Sequence, residues 1–168
     1  MSGSGLVGNL IEILKEQTAI YSEMLELSFK KREIIKKNEV DGLKAITTAE
    51  NGLVGKSQRL EKSRLELIKD IALVLNQKPE KMTLEYIIEA IKERPEAEEI
   101  RETARALRQI LTKLKDINEL NRELIQNSLD YIDFSINVIR STVGDGPAFS
   151  SPYGDSYDGS GGFFDVRQ

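Results

Sequence analysis

The feature that most constrains the fold is a stretch of the sequence, from Pro95 to Val143, that contains no glycine and no second proline. Its apolar residues recur at steps of three and four, the spacing of one face of an α-helix. Pro95 suits a first helical turn, because the N–H that proline lacks would have no partner there. A helix of this length spans roughly 70 Å at about 1.5 Å per residue. No single compact core needs so long a rod, so the sequence predicts an equally long partner, within the chain or outside it.

The second half of this predicted helix carries two apolar stripes. At about 100° per residue, one stripe continues the main apolar face, and the other begins at Leu120 and lies beside it. A helix that packs on one neighbour needs only one stripe. Either a third helix of the same chain buries this end more deeply, or the additional stripe is a surface for a partner. The additional stripe consists of Leu120, Leu124, Tyr131, Phe134 and Val138.

The rest of the chain contains two further long helical runs and one short one. Asn38 breaks the first run, and Asp41 can cap the second. Gly52 and Gly55 weaken the middle of the second run, which predicts an irregular centre. Thr83 caps the short helix that follows. With no β-alternation of useful length, the sequence predicts an all-α fold: an antiparallel, coiled-coil-like bundle of long helices with one short helix and a flexible C-terminal tail.

The predicted organisation is a disordered leader over residues 1–5, a helical domain over 6–143 and a tail over 144–168. The tail holds six of the 12 glycines, so it cannot continue a helix. It also holds half of the aromatic residues: Phe149, Tyr153, Tyr157, Phe163 and Phe164. The tail is either a sticky disordered segment or a docking segment. Docking through Phe149, Tyr153 and Tyr157 is favoured by their spacing, which puts them on one side of a transient helical turn.

Composition excludes several classes of function. The sequence has no cysteine and no histidine, which removes thiolate chemistry, the commonest general base and the commonest zinc ligand. The net charge is -4 with both signs interleaved, so there is no basic footprint for nucleic acid. No apolar run reaches the length of a membrane span and no signal sequence is evident, so we expect no membrane insertion and a cytoplasmic location.

Two short motifs partly resemble known phosphate-binding and metal-binding sites but lack residues that those sites need. The segment 52–57, Gly-Leu-Val-Gly-Lys-Ser, resembles the end of a phosphate-binding P-loop. It has two residues between its glycines where the P-loop has four, and a helix precedes it where a strand is needed. The glutamates between Glu96 and Glu102 imitate a carboxylate metal cluster, but four-helix di-iron sites add histidines that this chain lacks. The sequence therefore predicts no catalytic residue, no metal and no cofactor.

Polar residues interrupt the main apolar face of the predicted long helix. Asn118, Asn121 and Ser128 fall on that face in the angular count. A buried asparagine usually fixes helix register or oligomeric state at a cost in stability. The same side chain is also suited to hydrogen-bonding a peptide backbone laid against the helix. Both interpretations stay open on the residues alone.

The residues 118–125, Asn-Glu-Leu-Asn-Arg-Glu-Leu-Ile, resemble the Asn-x-x-Leu-Leu core of the last helix of the FlgN family of flagellar type III export chaperones. Here Ile125 replaces the second leucine. The tail segment 151–155, Ser-Pro-Tyr-Gly-Asp, is similar to the Tyr-Gly-x-x-Gly element that follows that helix, although the next glycine is farther away. The specific residues cover about a quarter of the chain, and the helical layout covers nearly all of it.

This resemblance implies a cytoplasmic helical chaperone without ATPase activity. Its partners would be the hook–filament junction proteins FlgK and FlgL, whose C-terminal helical segments it would hold before secretion, and a component of the export gate. The last helix would receive the client, with Asn121 and Asn127 fixing the client's register. The client-binding residues implied are Leu120, Asn121, Leu124, Asn127, Tyr131, Phe134 and Val138. The alternative is a structural coiled-coil or adaptor protein, unrelated to secretion, that satisfies both stripes by forming a homodimer.

Overall fold

The computed structural model describes residues 3–142, and their burial from Gly5 to Ile139. Within these residues the chain is helical and has no strand, which confirms the predicted all-α fold. None of the described helices is long and apolar enough to cross a membrane. The long helices are α1 (Gly3–Lys36), α2 (Val40–Val74) and α4 (Pro95–Thr142); a 3₁₀ turn (Pro79–Lys81) and the short α3 (Leu84–Ala90) lie between α2 and α4.

Asparagines in the left-handed conformation end the first two long helices. Asn38 has a φ of 55° and Asn76 a φ of 51°. At the end of α1, the N–H of Glu39 donates to the carbonyl of Ile34 and that of Asn38 to the carbonyl of Ile35, both at 3.2 Å. This pattern is a Schellman motif, in which asparagine is the usual substitute for glycine. The predicted break at Asn38 is therefore confirmed.

The start and the centre of α2 differ from the sequence-based expectation. Its N-cap is Glu39, without a capping bond from the side chain, and Asp41 lies in the first turn, where its charge favours the helix dipole. The expected cap at Asp41 is wrong. The expected irregular centre is also wrong, because α2 runs unbroken through Gly52 and Gly55. Leu53, between the two glycines, is buried, and tertiary packing of this kind outweighs a helix propensity penalty of about 1 kcal/mol per glycine.

The short helix α3 begins as predicted. The N–H of Tyr86 donates to the hydroxyl oxygen of Thr83, which confirms Thr83 as the N-cap. Ile87 is fully buried and fixes α3 against the core. The long helix α4 begins at Pro95 with Glu96 and Glu98 in its first turn, also as predicted.

Hydrogen bonds between side chains give the directions of the long helices. Pairs between α1 and α2 advance along one helix and recede along the other, which is the pattern of antiparallel neighbours. These pairs are Gln17 with Glu61 at 3.1 Å, Tyr21 with Ser57 at 2.8 Å, and Lys31 with Glu50 at 3.1 Å. Contacts between α1 and α4 advance together, from Lys15 with Glu99 to Ser28 with Asn118, so these two helices run parallel.

The apolar core lies where the beginning of α1, the end of α2, α3 and the beginning of α4 meet. Its most deeply buried members, Leu10, Leu14, Ile87 and Ile100, come from three of these elements. Burying one such side chain contributes about 1.5–3 kcal/mol, so this end of the bundle is strongly held. The remaining core members are Leu6, Val7, Ile11, Leu67, Ile71, Ala72 and Met82.

Away from this core, α1 and α2 combine polar pairs with buried apolar residues, which are Met24, Ile35, Ile46 and Leu53. Gln17 is buried and donates to Glu61, which also accepts two hydrogen bonds from Arg64, at 2.6 and 3.0 Å. The Arg64 guanidinium holds the pKa of the Glu61 carboxyl below its usual value, and partial burial opposes this shift. The middle of the bundle is therefore joined by hydrogen bonds as well as by buried apolar side chains.

The chain divides into two compact units between Asn127 and Ser128, with α4 continuing from one into the other. Of the second unit the structure describes residues 128–142. The helix α1 begins at Gly3, within the segment 1–5 for which a disordered leader is predicted. The division into 1–5, 6–143 and 144–168 stays a prediction. The tail, including Phe149, Tyr153 and Tyr157, lies outside the described residues.

Candidate interaction surface

Four of the residues predicted to bind a client lie in the first unit, and their environments differ. Leu120 and Leu124 are half-buried, Asn127 is exposed, and Asn121 is only 3% exposed. The exposed and half-buried side chains stay predicted members of a binding surface. Asn121 is already engaged within the unit, so it belongs to the packing of the bundle in this conformation.

Asn121 joins α4 to α1. Its Nδ2 donates to the backbone carbonyl of Ser28 at 2.9 Å. Ser28, itself 1% exposed, donates through its hydroxyl to the Oδ1 of Asn118 at 3.1 Å. Two asparagines of α4 thus form hydrogen bonds with one serine of α1. Only one register of the two helices allows both bonds. This arrangement favours the register interpretation of these polar residues.

One polar atom of Asn121 has no hydrogen-bond partner in this contact. Among the described residues, the Oδ1 of Asn121 and the Nε of Arg32 are buried and have no hydrogen-bond partner. A buried acceptor without a donor costs about 1–3 kcal/mol. The contact between α1 and α4 near Ser28 therefore fixes the register of the two helices but adds little to the stability of the fold.

The second unit has a different character, because many of its described side chains are large, apolar and exposed. We call residues 128–139 the exposed segment. Seven of its twelve residues are large, apolar and open to solvent, with Tyr131 at 71% and Phe134 at 65%. Such a density of exposed apolar side chains marks an interaction surface. The seven are Leu129, Tyr131, Ile132, Phe134, Ile136, Val138 and Ile139.

These seven residues form two rows along α4. At about 100° per residue, Leu129, Ile132, Ile136 and Ile139 share one side of the helix, and we call them the isoleucine row. Tyr131, Phe134 and Val138 share another side, and we call them the aromatic row. Two small residues, Ser128 and Ser135, lie between the rows in this count. Ser135 directs its hydroxyl to its own helix, where it donates to the carbonyl of Tyr131 at 2.9 Å.

The aromatic row is the part of the predicted binding stripe that lies in the second unit. The sequence predicts that Tyr131, Phe134 and Val138 bind a client, and all three side chains are exposed. The isoleucine row was missed as a binding surface, because the spacing of Ile132 and Ile139 placed them on the face expected to pack inside the bundle. The available signal was a difference in helix length, since α1 and α2 have 34 and 35 residues and α4 has 48.

The charge of the exposed segment has one sign. Asp130 and Asp133 are its only charged residues. In the angular count Asp133 borders the isoleucine row and Asp130 borders the aromatic row. Asp133, at the edge of the isoleucine row, is placed to pair with a positive charge on a partner helix, as e and g positions do in coiled coils. The surface is therefore suited to a partner that carries lysine or arginine beside an apolar stripe.

The described residues offer no arrangement for metal or phosphate chemistry. They contain no group of three or more carboxylate side chains positioned to hold a metal ion. The P-loop-like segment 52–57 lies within α2. Its backbone N–H groups are used in the helix, so they cannot cradle a phosphate as a loop does.

The chain is similar to known proteins over most of its length. The family described as FlgN protein matches residues 1–156 of the chain. The uncharacterized protein YvyG of Bacillus subtilis (strain 168) is 30% identical over 130 residues, which cover 77% of this chain and 78% of that protein. No solved structure gives a significant match.

Proposed function

Because the chain belongs to the FlgN family of flagellar export chaperones, we propose that it holds the C-terminal helical segments of the hook–filament junction proteins FlgK and FlgL before their export. The exposed segment of α4 is the proposed docking surface. In this proposal the protein works in the cytoplasm, hydrolyses no nucleotide, and passes its client to a component of the export gate.

The observation that carries the proposal is the exposure of seven large apolar side chains within residues 128–139. Burying one such side chain against a partner contributes about 1.5–3 kcal/mol. Part of this gain offsets the cost of ordering a client segment that is disordered before binding. An amphipathic helix laid on an apolar helical face is a common mode of recognising such segments.

The experiment compares two substitutions of equal chemistry at different places. Phe134→Asp puts a charge into the exposed segment, and Leu73→Asp puts one on α2, where Leu73 is 81% exposed. Both side chains are open to solvent, so both variants should fold, which circular dichroism and thermal melting will verify. Titration calorimetry then measures binding of a FlgK or FlgL C-terminal segment from the same organism.

We expect Phe134→Asp to weaken client binding by about tenfold or more, since burying one aromatic side chain is worth at least that factor. Leu73→Asp should bind as the unsubstituted chain does. Normal binding by a folded Phe134→Asp variant would contradict the proposed surface. Leu124→Asp is less informative, because Leu124 is half-buried and its loss also perturbs the fold.

The exposure of the same side chains also supports the alternative of a homodimer. Two copies of the exposed segment would bury each other's apolar rows in a symmetric contact. Light scattering of the purified chain, alone and with the client segment, separates the two functions. A chaperone of the proposed kind forms a complex of defined mass with the client segment. A structural dimer keeps the mass of a dimer and does not bind the client segment.

A further inference from the structure

A groove of about 260 Å³ lies between α1 and α2. Its lining includes half-buried apolar side chains and exposed charged ones, which are Ile20, Leu60, Glu16, Lys56 and Arg59. At about 100° per residue, Glu16 lies roughly 120° around α1 from Ser28, whose side chain and carbonyl form hydrogen bonds with α4. The groove and α4 are therefore on different sides of α1.

Charged side chains of opposite sign border this groove without pairing to each other. Glu16 and Glu23 are seven residues apart on α1, and Lys56 and Arg59 are three apart on α2. All four are exposed, and within the described part of the chain none of them forms an ion pair. A face that carries acidic residues on one helix and basic residues on the other is complementary to a second copy of itself.

The register of the two helices puts these charges at matching levels along the bundle. The hydrogen bonds that join α1 to α2 beside the groove fix that register. In it Arg59 is level with residue 19, roughly 4–5 Å along the axis from Glu16, and Lys56 is level with residue 22, about 1–2 Å from Glu23. A twofold axis parallel to the helices preserves every level and lays α1 of each copy on α2 of the other. Each glutamate then faces a basic residue of the second copy.

An apolar row of α1 runs beyond the groove in both directions. Its members recur every seven residues and are all half-buried: Ile13, Ile20, Leu27 and Ile34. A seven-residue apolar repeat is typical of helices that pack along one another. The row is about 32 Å long, and α1 beside α2 is roughly 20 Å wide. This face therefore offers roughly 600 Å² per copy, which places a symmetric contact at the lower end of specific interfaces, about 1,200 Å² in total.

We propose that two copies of the chain form a dimer through this face, with α1 of each copy packed on α2 of its partner. Glu16 pairs with the partner's Arg59 and Glu23 with the partner's Lys56, and the symmetry repeats both pairs. Ile20 lies at the centre of the contact. All of these residues belong to the first unit and none to the exposed segment, so the inference goes beyond the proposed function and does not depend on it.

Sedimentation equilibrium of the full-length chain over a range of concentrations measures the dissociation constant of the dimer. Glu16→Arg and Arg59→Glu should each weaken it by about tenfold or more, because one reversal turns two symmetry-related attractions into repulsions. The double variant with both changes restores opposite charges and should bring the constant back to within about threefold. Lys62→Glu is the matched control, since Lys62 is exposed and lies roughly 160° around α2 from Leu60, and should change the constant by less than about twofold.

Several results would overturn the inference. An unsubstituted chain that stays monomeric at every concentration is one, and a dimer that the single reversals leave intact is another. A double variant that remains as weak as the single ones would show that these charges do not pair. A dimer that Phe134→Asp dissociates and Glu16→Arg does not would use the exposed segment instead. Should either single variant lose helix content in circular dichroism, Glu23→Lys and Lys56→Glu provide a second set of single and double reversals.

Discussion

Replacing Asn121 by leucine tests whether the hydrogen bond from Asn121 to Ser28 fixes the helix register rather than adding to the stability of the fold. Leucine has nearly the same shape as asparagine and carries no polar atom. Asn121 is 3% exposed, and its Nδ2 donates a hydrogen bond to the Ser28 carbonyl at 2.9 Å. That carbonyl lies within α1, so it keeps its helical hydrogen bond after the substitution.

The magnitude follows from four contributions at this position. Losing the hydrogen bond costs about 0.5–1.5 kcal/mol, and removing the unpartnered Oδ1 of Asn121 returns about 1–3 kcal/mol. Burying the leucine methyl groups contributes about 1.5–3 kcal/mol before any misfit of the side chain, which costs about 1–3 kcal/mol. We therefore expect Asn121→Leu to raise the free energy of unfolding by about 1–2 kcal/mol.

Urea unfolding followed by circular dichroism measures this change as a shift of the midpoint at constant slope. Asn127→Leu is the matched control, because Asn127 is exposed, six residues along the same helix, and should change stability by no more than about 0.5 kcal/mol. If Asn121→Leu lowers the stability by more than about 1 kcal/mol, the hydrogen bond to Ser28 outweighs the other contributions and the reasoning is refuted.

Three further predictions concern α2 and the tail. Gly52→Ala should stabilise the protein by about 0.5–1 kcal/mol, since the added methyl group meets nothing within 4 Å; Gly42→Ala, where the methyl group lies 3.3 Å from Ile34, should gain less in the same melting assay. The lowered pKa of Glu61 stabilises the fold above the usual carboxyl pKa of 4.5, and this contribution disappears as the pH falls through the folded-state value. Urea midpoints at pH 7 and pH 3 should therefore differ more for the unsubstituted chain than for Glu61→Gln, and an equal difference would contradict the assigned role. Deleting residues 144–168 should leave client affinity unchanged or raise it, if the tail aromatics occupy an apolar surface in the absence of client; loss of binding in calorimetry would instead make the tail part of the client site.

Local features of the fold were predictable because their causes lie within a few residues. Asn38 ends α1 through its own left-handed conformation, and Thr83 caps α3 through a bond to a residue three positions away. Pro95 and the glycine-free stretch after it predicted α4 almost to the residue. Each of these signals depends on backbone chemistry that the neighbouring sequence displays.

Non-local features were not predictable in the same way. The unbroken centre of α2 depends on the burial of Leu53, which outweighs the glycines beside it. The role of Asn121 depends on Ser28, which is 93 residues away in the sequence. The periodicity of the exposed segment marked both rows as apolar but carried no information that both rows would be exposed.

Hydrogen–deuterium exchange of the full-length chain, with and without a FlgK or FlgL C-terminal segment, tests the central claim most directly. A client docked on the exposed segment slows local opening of that helix, so amide exchange there should fall in the complex. We predict that the strongest new protection lies within residues 128–139, with little change along α2. New protection confined to residues 3–127, with exchange in the exposed segment unchanged, would contradict the assignment of this surface to the client.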